Sequence, residues 1–270
     1  MTETIGFIGL GDLGRPIAAN LLAAGYGLRV HNRTAAKADA LVAQGAHRAD
    51  RAVDAVRAGG IVATLLWDDA SVEEVVTRDG FLERLGPGGV HISMSTVSPE
   101  GSKRLAALHA AHGCQFVEAP VFGRPEAAVA RQLWIVCAGA QAAKDRVRPV
   151  LEAMGAREIF DFGEAIGAAT TLKLLGNFLL ISAAQSLTEG LSMVEKSGFD
   201  PRAALDMLTR TLFPSPIYQT YGRMIVEKSG GFSQSPIPAK DLGLFTAAAD
   251  QLGAPAPLAS LLLELRTRGA

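Results

Sequence analysis

The residues with the clearest chemical purpose in this chain are glycines. Gly9-Leu10-Gly11-Asp12-Leu13-Gly14 follows the apolar run Thr4–Ile8 and opens an amphipathic stretch, Gly14–Ala24. This is G-x-G-x-x-G spacing in the strand–turn–helix context that gives the pattern meaning. Gly9 permits a tight turn, Gly11 lets backbone amides approach a pyrophosphate, and Gly14 lets helix and strand pack closely. The helix start adds partial positive charge and amide donors for phosphates. A dinucleotide is therefore the expected ligand, with Leu10, Asp12 and Leu13 in the turn that cradles it.

The end of the second strand-like run bears on which nicotinamide cofactor is used. An Asp or Glu there bonds the ribose 2′-hydroxyl and repels a 2′-phosphate. Here the residues are His31-Asn32-Arg33-Thr34, with no carboxylate. Arg33 can pair with a 2′-phosphate and stack on the adenine, while Asn32 and Thr34 add neutral hydrogen bonds. NADPH (NADP+) is the expected cofactor. The alternative, a solvated Arg33 and an unselected cofactor, stays open on sequence alone.

Lys173 is the second informative feature. The stretch from Ala165 to Thr188 carries one charge, Lys173, flanked by Leu172, Leu174 and Leu175. An ammonium among apolar neighbours costs several kcal/mol unless it meets a polar partner or serves a cavity. Asn177 follows four residues on, roughly 6 Å along a helix and on the same face. A lysine so placed can donate to a carbonyl oxygen, and burial eases the loss of its proton. Snorkelling to solvent or a structural ion pair would explain it without chemistry. Ser95 and Thr96, where a strand-like run ends and Pro99 begins a helix, gather hydroxyls and amides at an anion-friendly place. Lys240-Asp241 places a charge pair at a late helix start.

These groups must be held by elements that the pattern of the chain suggests. Its 270 residues are 49% hydrophobic and 20% charged, with 26 basic against 27 acidic side chains and a net charge of −1. That composition forms a sizeable core and argues against a general nucleic-acid or anionic-membrane surface. Cys114 and Cys137 stand far apart with no ligand spacing around them, so no metal site is expected and both read as core residues. No basic leader precedes the first strand-like run, from which a cytoplasmic location is expected. The Ala165–Thr188 run imitates a membrane span, but Thr170, Thr171, Asn177, Ser182, Gln185 and Ser186 fit a helix buried between protein layers better.

Strand-like runs at Thr4–Ile8, Gly27–His31, Ile61–Leu66, Gly89–Met94, Cys114–Glu118, Leu133–Cys137 and Glu158–Phe162 alternate with helical ones. The latter include Gly14–Ala24, Thr34–Gln44, Pro99–Ala111 and Gln141–Met154. That alternation predicts βαβ units around a mostly parallel sheet covered on both faces. After Gly163 the pattern is helical: Ala165–Lys196, Pro201–Thr211, Ile217–Glu227 and Lys240–Leu252, with breaks at Phe213–Pro216 and Ser229–Pro238. The expected architecture is an α/β Rossmann-type domain over residues 1–163, then an all-α domain over 164–270, joined by a long apolar helix.

Together these motifs resemble the β-hydroxyacid dehydrogenase family, which includes 3-hydroxyisobutyrate dehydrogenase and glyoxylate/succinic-semialdehyde reductases. Imine reductases and 6-phosphogluconate dehydrogenase are its relatives. Gly6 through Gly11 and on to Asn20-Leu21 looks like the family's cofactor signature, and Ser95-Thr96-Val97-Ser98-Pro99 like its mid-chain S-T-x-S-P element. Gly167 through Asn177 looks like its catalytic helix, and Lys240-Asp241 like its late K-D pair. The resemblance implies hydride transfer between nicotinamide C4 and the carbonyl carbon of a small aldehyde or 2-oxo acid. Lys173 would protonate the oxygen, Asn177 would orient lysine or substrate, and Lys240 would help close the pocket. Ser95 and Thr96 would approach the substrate acid group or nicotinamide ribose, and Leu65 and Leu66 the cofactor. It further implies a homodimer or larger homo-oligomer.

One departure stands out. Where the family usually carries D-A-P-V-S-G-G, whose serine and glycine amides hold a substrate carboxylate, this chain has Glu118-Ala119-Pro120-Val121-Phe122-Gly123-Arg124. Phe122 makes the pocket narrower and more apolar, and Arg124 either rebuilds anion binding or faces solvent. Two other functions remain compatible with the residues: an imine reductase, which the apolar Phe122 favours, and a dinucleotide-binding scaffold or sensor without chemistry.

Overall fold

The computed structural model of the chain describes residues 3–229 and 235–268. Its internal contacts divide it into two units, the first running to Lys173 and the second from Leu174. Among the described residues the first unit has nine strands: β1 (Thr4–Ile8), β2 (Gly27–His31), β3 (His47–Arg48), β4 (Ile61–Thr64), β5 (Val90–Ser93), β6 (Gln115–Glu118), β7 (Val121–Phe122), β8 (Leu133–Gly139) and β9 (Ala156–Asp161). They form one sheet in the order β3-β2-β1-β4-β5-β6-β8-β7, with β9 paired to β8. Pairing is parallel from β3 through β6; β8 runs antiparallel to β6 and β7 and parallel to β9.

The intervening helices are α1 (Gly14–Ala23), α2 (Asp39–Val42), α3 (Asp69–Thr77), α4 (Phe81–Leu85), α5 (Pro99–Ala111), α6 (Pro125–Val129) and α7 (Gln141–Ala153). They cover both faces of the sheet. On one side Ile17 and Leu21 of α1 and Val147, Val150 and Leu151 of α7 meet Ile5, Phe7, Val30, Ala63 and Ile92. On the other, Val72, Phe81, Leu85 and Leu105 meet Ile8, Val62 and Phe116. Burying each large apolar side chain of this kind contributes about 1.5–3 kcal/mol. The strand order reverses direction at β1 and β4, so the loops leaving these two strands border the crevice where open α/β sheets take ligands.

Local chemistry shortened some expected elements. β4 stops at Thr64 because the Leu66 amide donates to the Ser95 hydroxyl rather than to a neighbouring strand. The helix expected over Thr34–Gln44 is a 3₁₀ turn, Ala35–Ala38, followed by the single turn of α2, and only Ala38 and Leu41 of these two elements are buried. β3 and β7, two residues each, are too short to show a period in sequence.

The helix α8 (Ala168–Lys196) starts in the first unit and continues into the second, where α9 (Pro201–Arg210), α10 (Pro216–Val226), α11 (Ile237–Leu252) and α12 (Pro257–Arg268) follow. Ala184, Leu187 and Leu191 of α8 pack with Leu205 and Tyr221, while Ile181 packs with Leu242, Ala259 and Leu262. Phe178 and Phe245 stack with centroids 4.6 Å apart. One face of α8 is therefore covered by protein neighbours while Leu175 and Leu179 stay exposed, and no helix among the described residues is long and apolar enough to cross a membrane. α11 begins at Ile237, three residues before the start expected at Lys240, since Pro238 is tolerated in a first turn. Of the break expected at Ser229–Pro238, residues 230–234 lie outside the described residues.

Candidate active site

The nucleotide corner is shaped by what its glycines lack. Gly9 has φ +102°, and a Cβ there would sit 2.2 Å from the Leu65 carbonyl oxygen. A Cβ on Gly14 would sit 2.0 Å from the Gly9 oxygen. At Gly11 the equivalent space holds no protein atom within 4 Å, which leaves room for a ligand at the middle of the turn. α1 then starts without a side-chain cap, as a phosphate-binding helix start requires. Asn32 braces the turn: its Oδ1 accepts from the Leu10 amide at 2.9 Å and its Nδ2 donates to the Thr34 carbonyl at 3.0 Å. Arg33, between them, is exposed at the end of β2. This donor set fits a dinucleotide.

Asn20 has a different task. Its Nδ2 donates to the Ala128 carbonyl at 2.9 Å and the Met154 carbonyl at 3.0 Å, tying α1 to the ends of α6 and α7.

The loops leaving β4 and β5 are bolted together by the S-T-x-S-P element. Ser95, buried, accepts from the Leu66 amide at 2.7 Å. Ser98 caps α5 by accepting from the Gly101 amide at 2.9 Å, and its own hydroxyl donates to Asp69 Oδ1 at 2.6 Å. The Ser98 amide also donates to both Asp69 oxygens. Asp68 caps α3 through the Ser71 amide at 2.8 Å. The loop so fixed presents Trp67 half-exposed, next to the half-buried Leu65 and Leu66. Thr96, between the two bolted serines, is half-buried.

Behind this clamp runs a buried polar chain. Leu105 O can only accept, so His109 Nδ1 donates to it, at 2.6 Å. His109 Nε2 then accepts from His91 Nδ1 at 2.9 Å, and His91 Nε2 accepts from the Thr64 hydroxyl at 2.9 Å. Burial drives both imidazoles toward the neutral form: His91 falls well below its ordinary range, and His109 to about 4. Burial likewise pushes the Cys137 thiol up to about 12, with Asp161 adding to the rise, and the Cys114 thiol upward. Neither cysteine is a nucleophile, and no group of three or more metal-ligating side chains occurs among the described residues.

Lys173 lies in the second turn of α8, half-buried, and its start is set by Glu118. One Glu118 oxygen accepts from the Gly167 amide at 2.9 Å and the other from the Thr170 hydroxyl. Since the Thr170 proton is committed, the Ser102 hydroxyl, 2.9 Å away, donates to Thr170 in turn. The buried carboxylate thus sits at the positive end of the helix. The Lys173 ammonium lies 4.2 Å from the centroid of the Phe122 ring. Phe122 is held in register opposite Trp134 and packs against the cluster of Val136, Ala138 and Ala169. Gly123, with φ +142°, turns the chain next to it. Arg124 Nε is 3.4 Å from Glu126 Oε2, and both side chains reach solvent.

In the second unit Asn177 Nδ2 donates to Asp241 Oδ2 at 2.6 Å, and Lys240 Nζ is 3.0 Å from Asp241 Oδ1. Asp241 is buried and is the hub that joins the two expected residues. Sequence reasoning passed over Asp69, Glu118 and Asp241 as site-building residues. The only available signal was their adjacency to the motifs, since each acts through a partner distant in the chain.

Two family models together span nearly the whole chain. The NAD binding domain of 6-phosphogluconate dehydrogenase matches residues 4–166, and the NAD-binding domain of NADP-dependent 3-hydroxyisobutyrate dehydrogenase matches residues 167–269. The chain is 44% identical to the oxidoreductase YfjR of Bacillus subtilis over 261 residues, 95% of this chain and 90% of that one. It is 33% identical to an NAD-dependent L-serine dehydrogenase of Pseudomonas aeruginosa, covering 97% and 91%. A solved 3-hydroxyisobutyrate dehydrogenase of Mycobacterium tuberculosis, determined with L-serine, superposes with a TM-score of 0.88 at 30% identity, covering 100% of this chain and 94% of that one. In sequence, motif order and fold, the chain belongs to the 3-hydroxyisobutyrate dehydrogenase-like family of NAD(P)-dependent β-hydroxyacid dehydrogenases.

Proposed function

We propose that this protein is an NADPH-dependent reductase of small carbonyl compounds in which Lys173 is the general acid. The observation that carries it is the half-buried Lys173 ammonium, fixed 4.2 Å from an aromatic ring on a helix whose start is clamped by a buried carboxylate. A merely solvating lysine has no use for such fixing.

The cofactor would be held by the Gly9–Gly14 turn and the start of α1, with Arg33 taking the 2′-phosphate and Asn32 and Thr34 beside it. Reduced nicotinamide supplies a hydride to the carbonyl carbon. Lys173 gives its proton to the carbonyl oxygen as the C=O bond becomes C–OH, and recovers one from water afterwards. In the oxidative direction the neutral amine takes the hydroxyl proton. The Ser95 and Ser98 hydroxyls keep the Leu65–Asp69 loop rigid, so that Leu65, Leu66 and Thr96 present a fixed surface to cofactor and substrate. Asn177 and Lys240, joined through Asp241, are proposed to orient the substrate.

The test is NADPH-coupled reduction across short aldehydes and 2-oxo acids, with Lys173→Ala measured beside the parent. Loss of general-acid catalysis lowers kcat by about 100- to 10,000-fold, while NADPH affinity holds. Undiminished turnover in Lys173→Ala overturns the assignment. In the same assay Arg33→Ala lowers the NADPH-over-NADH preference by about tenfold or more; no change would leave the 2′-phosphate unread. Exposed Leu258, Leu261 and Leu265 on α12, with Leu175 and Leu179 on α8, support pairing with a second copy, which light scattering on the purified protein decides.

A further inference from the structure

We propose that Asp69 is a positioning residue for the cofactor: its carboxylate locks the loops leaving β4 and β5 to each other and, through Leu65 and Leu66, holds the Gly9 turn ready for the dinucleotide. This rests on the Gly9–Gly14 turn as the cofactor site, and depends neither on NADPH over NADH nor on the role of Lys173.

The loops concerned leave three adjacent strands, β1, β4 and β5. Backbone pairing runs one step past the strand ends: the Leu65 amide donates to the Ile8 carbonyl and the Met94 amide to the Thr64 carbonyl, each at 2.9 Å. Beyond that step side chains take over. Ser95 accepts from the Leu66 amide at 2.7 Å. Asp69 then receives the Ser98 amide on both carboxylate oxygens, at 3.1 and 3.0 Å, and the Ser98 hydroxyl on Oδ1 at 2.6 Å. Ser98 is the N-cap of α5 and Asp69 the first residue of α3, so one negative charge serves two helix starts. Gly101, in the first turn of α5, reserves the space for that carboxylate. A Cβ there would lie 1.6 Å from Asp69 Oδ1, with Ser98 Oγ next at 3.0 Å. Gly101 is helical and has no left-handed φ, so its glycine answers the carboxylate rather than a backbone demand. Without the carboxylate an alanine would suit the helix better. At the other end of the clamp, a Cβ on Gly9 would meet the Leu65 carbonyl oxygen at 2.2 Å and Leu66 Cδ2 at 3.1 Å. The Gly9 turn therefore leans on the segment that Asp69 anchors. With the clamp open that segment takes several arrangements, and only the fraction that fits the turn binds a dinucleotide.

Cofactor fluorescence gives the dissociation constant for NADPH, with NADH run in parallel, and thermal melts give stability. Asp69→Ala should raise the dissociation constant about tenfold, as when about one arrangement in ten stays competent. Its thermal midpoint should fall by about 5 °C. KM for NADPH should follow the dissociation constant, while kcat at saturating cofactor stays within about threefold of the parent, because bound cofactor restores the arrangement. Gly101→Ala attacks the clamp from the other side: the methyl group evicts the carboxylate, so affinity and midpoint should both fall in the native chain. In the Asp69→Ala background the same substitution meets only Ser98 and gains helix propensity. There it should leave affinity unchanged and the midpoint level or higher, a reversal of sign that the clamp alone produces. Asp69→Asn keeps one oxygen for the Ser98 amide and should fall between the parent and Asp69→Ala in both readouts. Asp200, which caps α9 by accepting from the Arg202 amide at 2.9 Å, supplies the comparison for simple loss of a cap. Asp200→Ala should lower the midpoint and leave NADPH affinity alone. An Asp69→Ala chain that melts earlier yet binds NADPH as tightly as the parent overturns the proposal, as does a Gly101→Ala cost that is equal in the two backgrounds. A parent that prefers NADH removes only the 2′-phosphate assignment, and undiminished turnover in Lys173→Ala removes only the proton donor.

Discussion

The nucleotide corner and the Phe122–Lys173 wall are built by opposite means. At the corner the backbone does the shaping: Gly9 and Gly14 are needed because a Cβ would fall 2.2 Å and 2.0 Å from main-chain oxygens. At the wall the side chains do it, through partners remote in sequence: Glu118 to Thr170, 52 residues on, and Phe122 to Lys173. A backbone-built site needs no partner and tolerates no substituent. A side-chain-built site tolerates graded change, so a substitution at the wall need not disturb the backbone of the glycine corner.

The sharpest way to break that comparison lies within the glycine turn itself. Gly14→Ala pushes a methyl group against the Gly9 carbonyl, a main-chain atom that cannot swing aside. It should destabilise the first unit by about 3 kcal/mol and abolish NADPH binding together. Gly11→Ala meets no protein atom within 4 Å. Its thermal midpoint should stay within a degree or two of the parent while NADPH affinity falls about tenfold or more, because the methyl group occupies ligand space. Equal stability losses in the two variants, read by thermal melts, would show that the turn is shaped by packing alone.

Acid tests the side-chain mode of construction next. His109 is held neutral in the folded chain, with its pKa lowered from 6.5 to about 4 by burial, and burial also lowers His91 well below its ordinary range. In the unfolded chain both titrate near 6.5. Between these values the unfolded state binds more protons, so stability is complete above about pH 6.5 and is lost as pH falls toward 4. For His109 alone the loss amounts to about 3 kcal/mol below that range. Urea unfolding at pH 7 and pH 4.5 measures it. Replacing the pair together, His91→Phe with His109→Met, should shrink the difference between the two pH values; an unchanged difference would assign acid sensitivity to carboxylates instead.

The same contrast explains what could be read from the sequence. G-x-G-x-x-G was legible because each glycine answers a local backbone demand, visible over six consecutive letters. The parallel sheet was legible from apolar runs covered on both faces, as at β4 and β5, whose residues are all buried. Lys173 stood out because an ammonium among leucines is costly wherever the chain folds. Asp69, Glu118 and Asp241 did not stand out, since an acidic residue acquires its meaning from the donor it meets, and those donors are Ser98, Gly167 and Asn177. Ser95 and Ser98 were visible as hydroxyls at a helix start, but their commitment to the β4 loop, 29 residues away, was not. Phe122 was visible as a departure from a family pattern; that its ring would lie on Lys173 depended on β7, a strand too short to announce itself.

The smallest expected effect is the most discriminating for the wall. Glu118→Gln keeps an oxygen for the Gly167 amide but sets an NH2 group against the Thr170 hydroxyl, which must turn its proton elsewhere. It also removes negative charge from the start of α8. The combined loss should be about 1–2 kcal/mol of stability, too little to unfold the chain at room temperature. Because the start of α8 sets the position of Lys173, kcat for carbonyl reduction should fall several-fold where both proteins are fully folded. NADPH affinity, set in the glycine corner, should not move. A purely structural carboxylate would lower the thermal midpoint and leave kcat untouched at that temperature. A positioning one lowers kcat and leaves the cofactor dissociation constant alone, and Glu118→Asp, which keeps the charge with a shorter reach, should fall between the two.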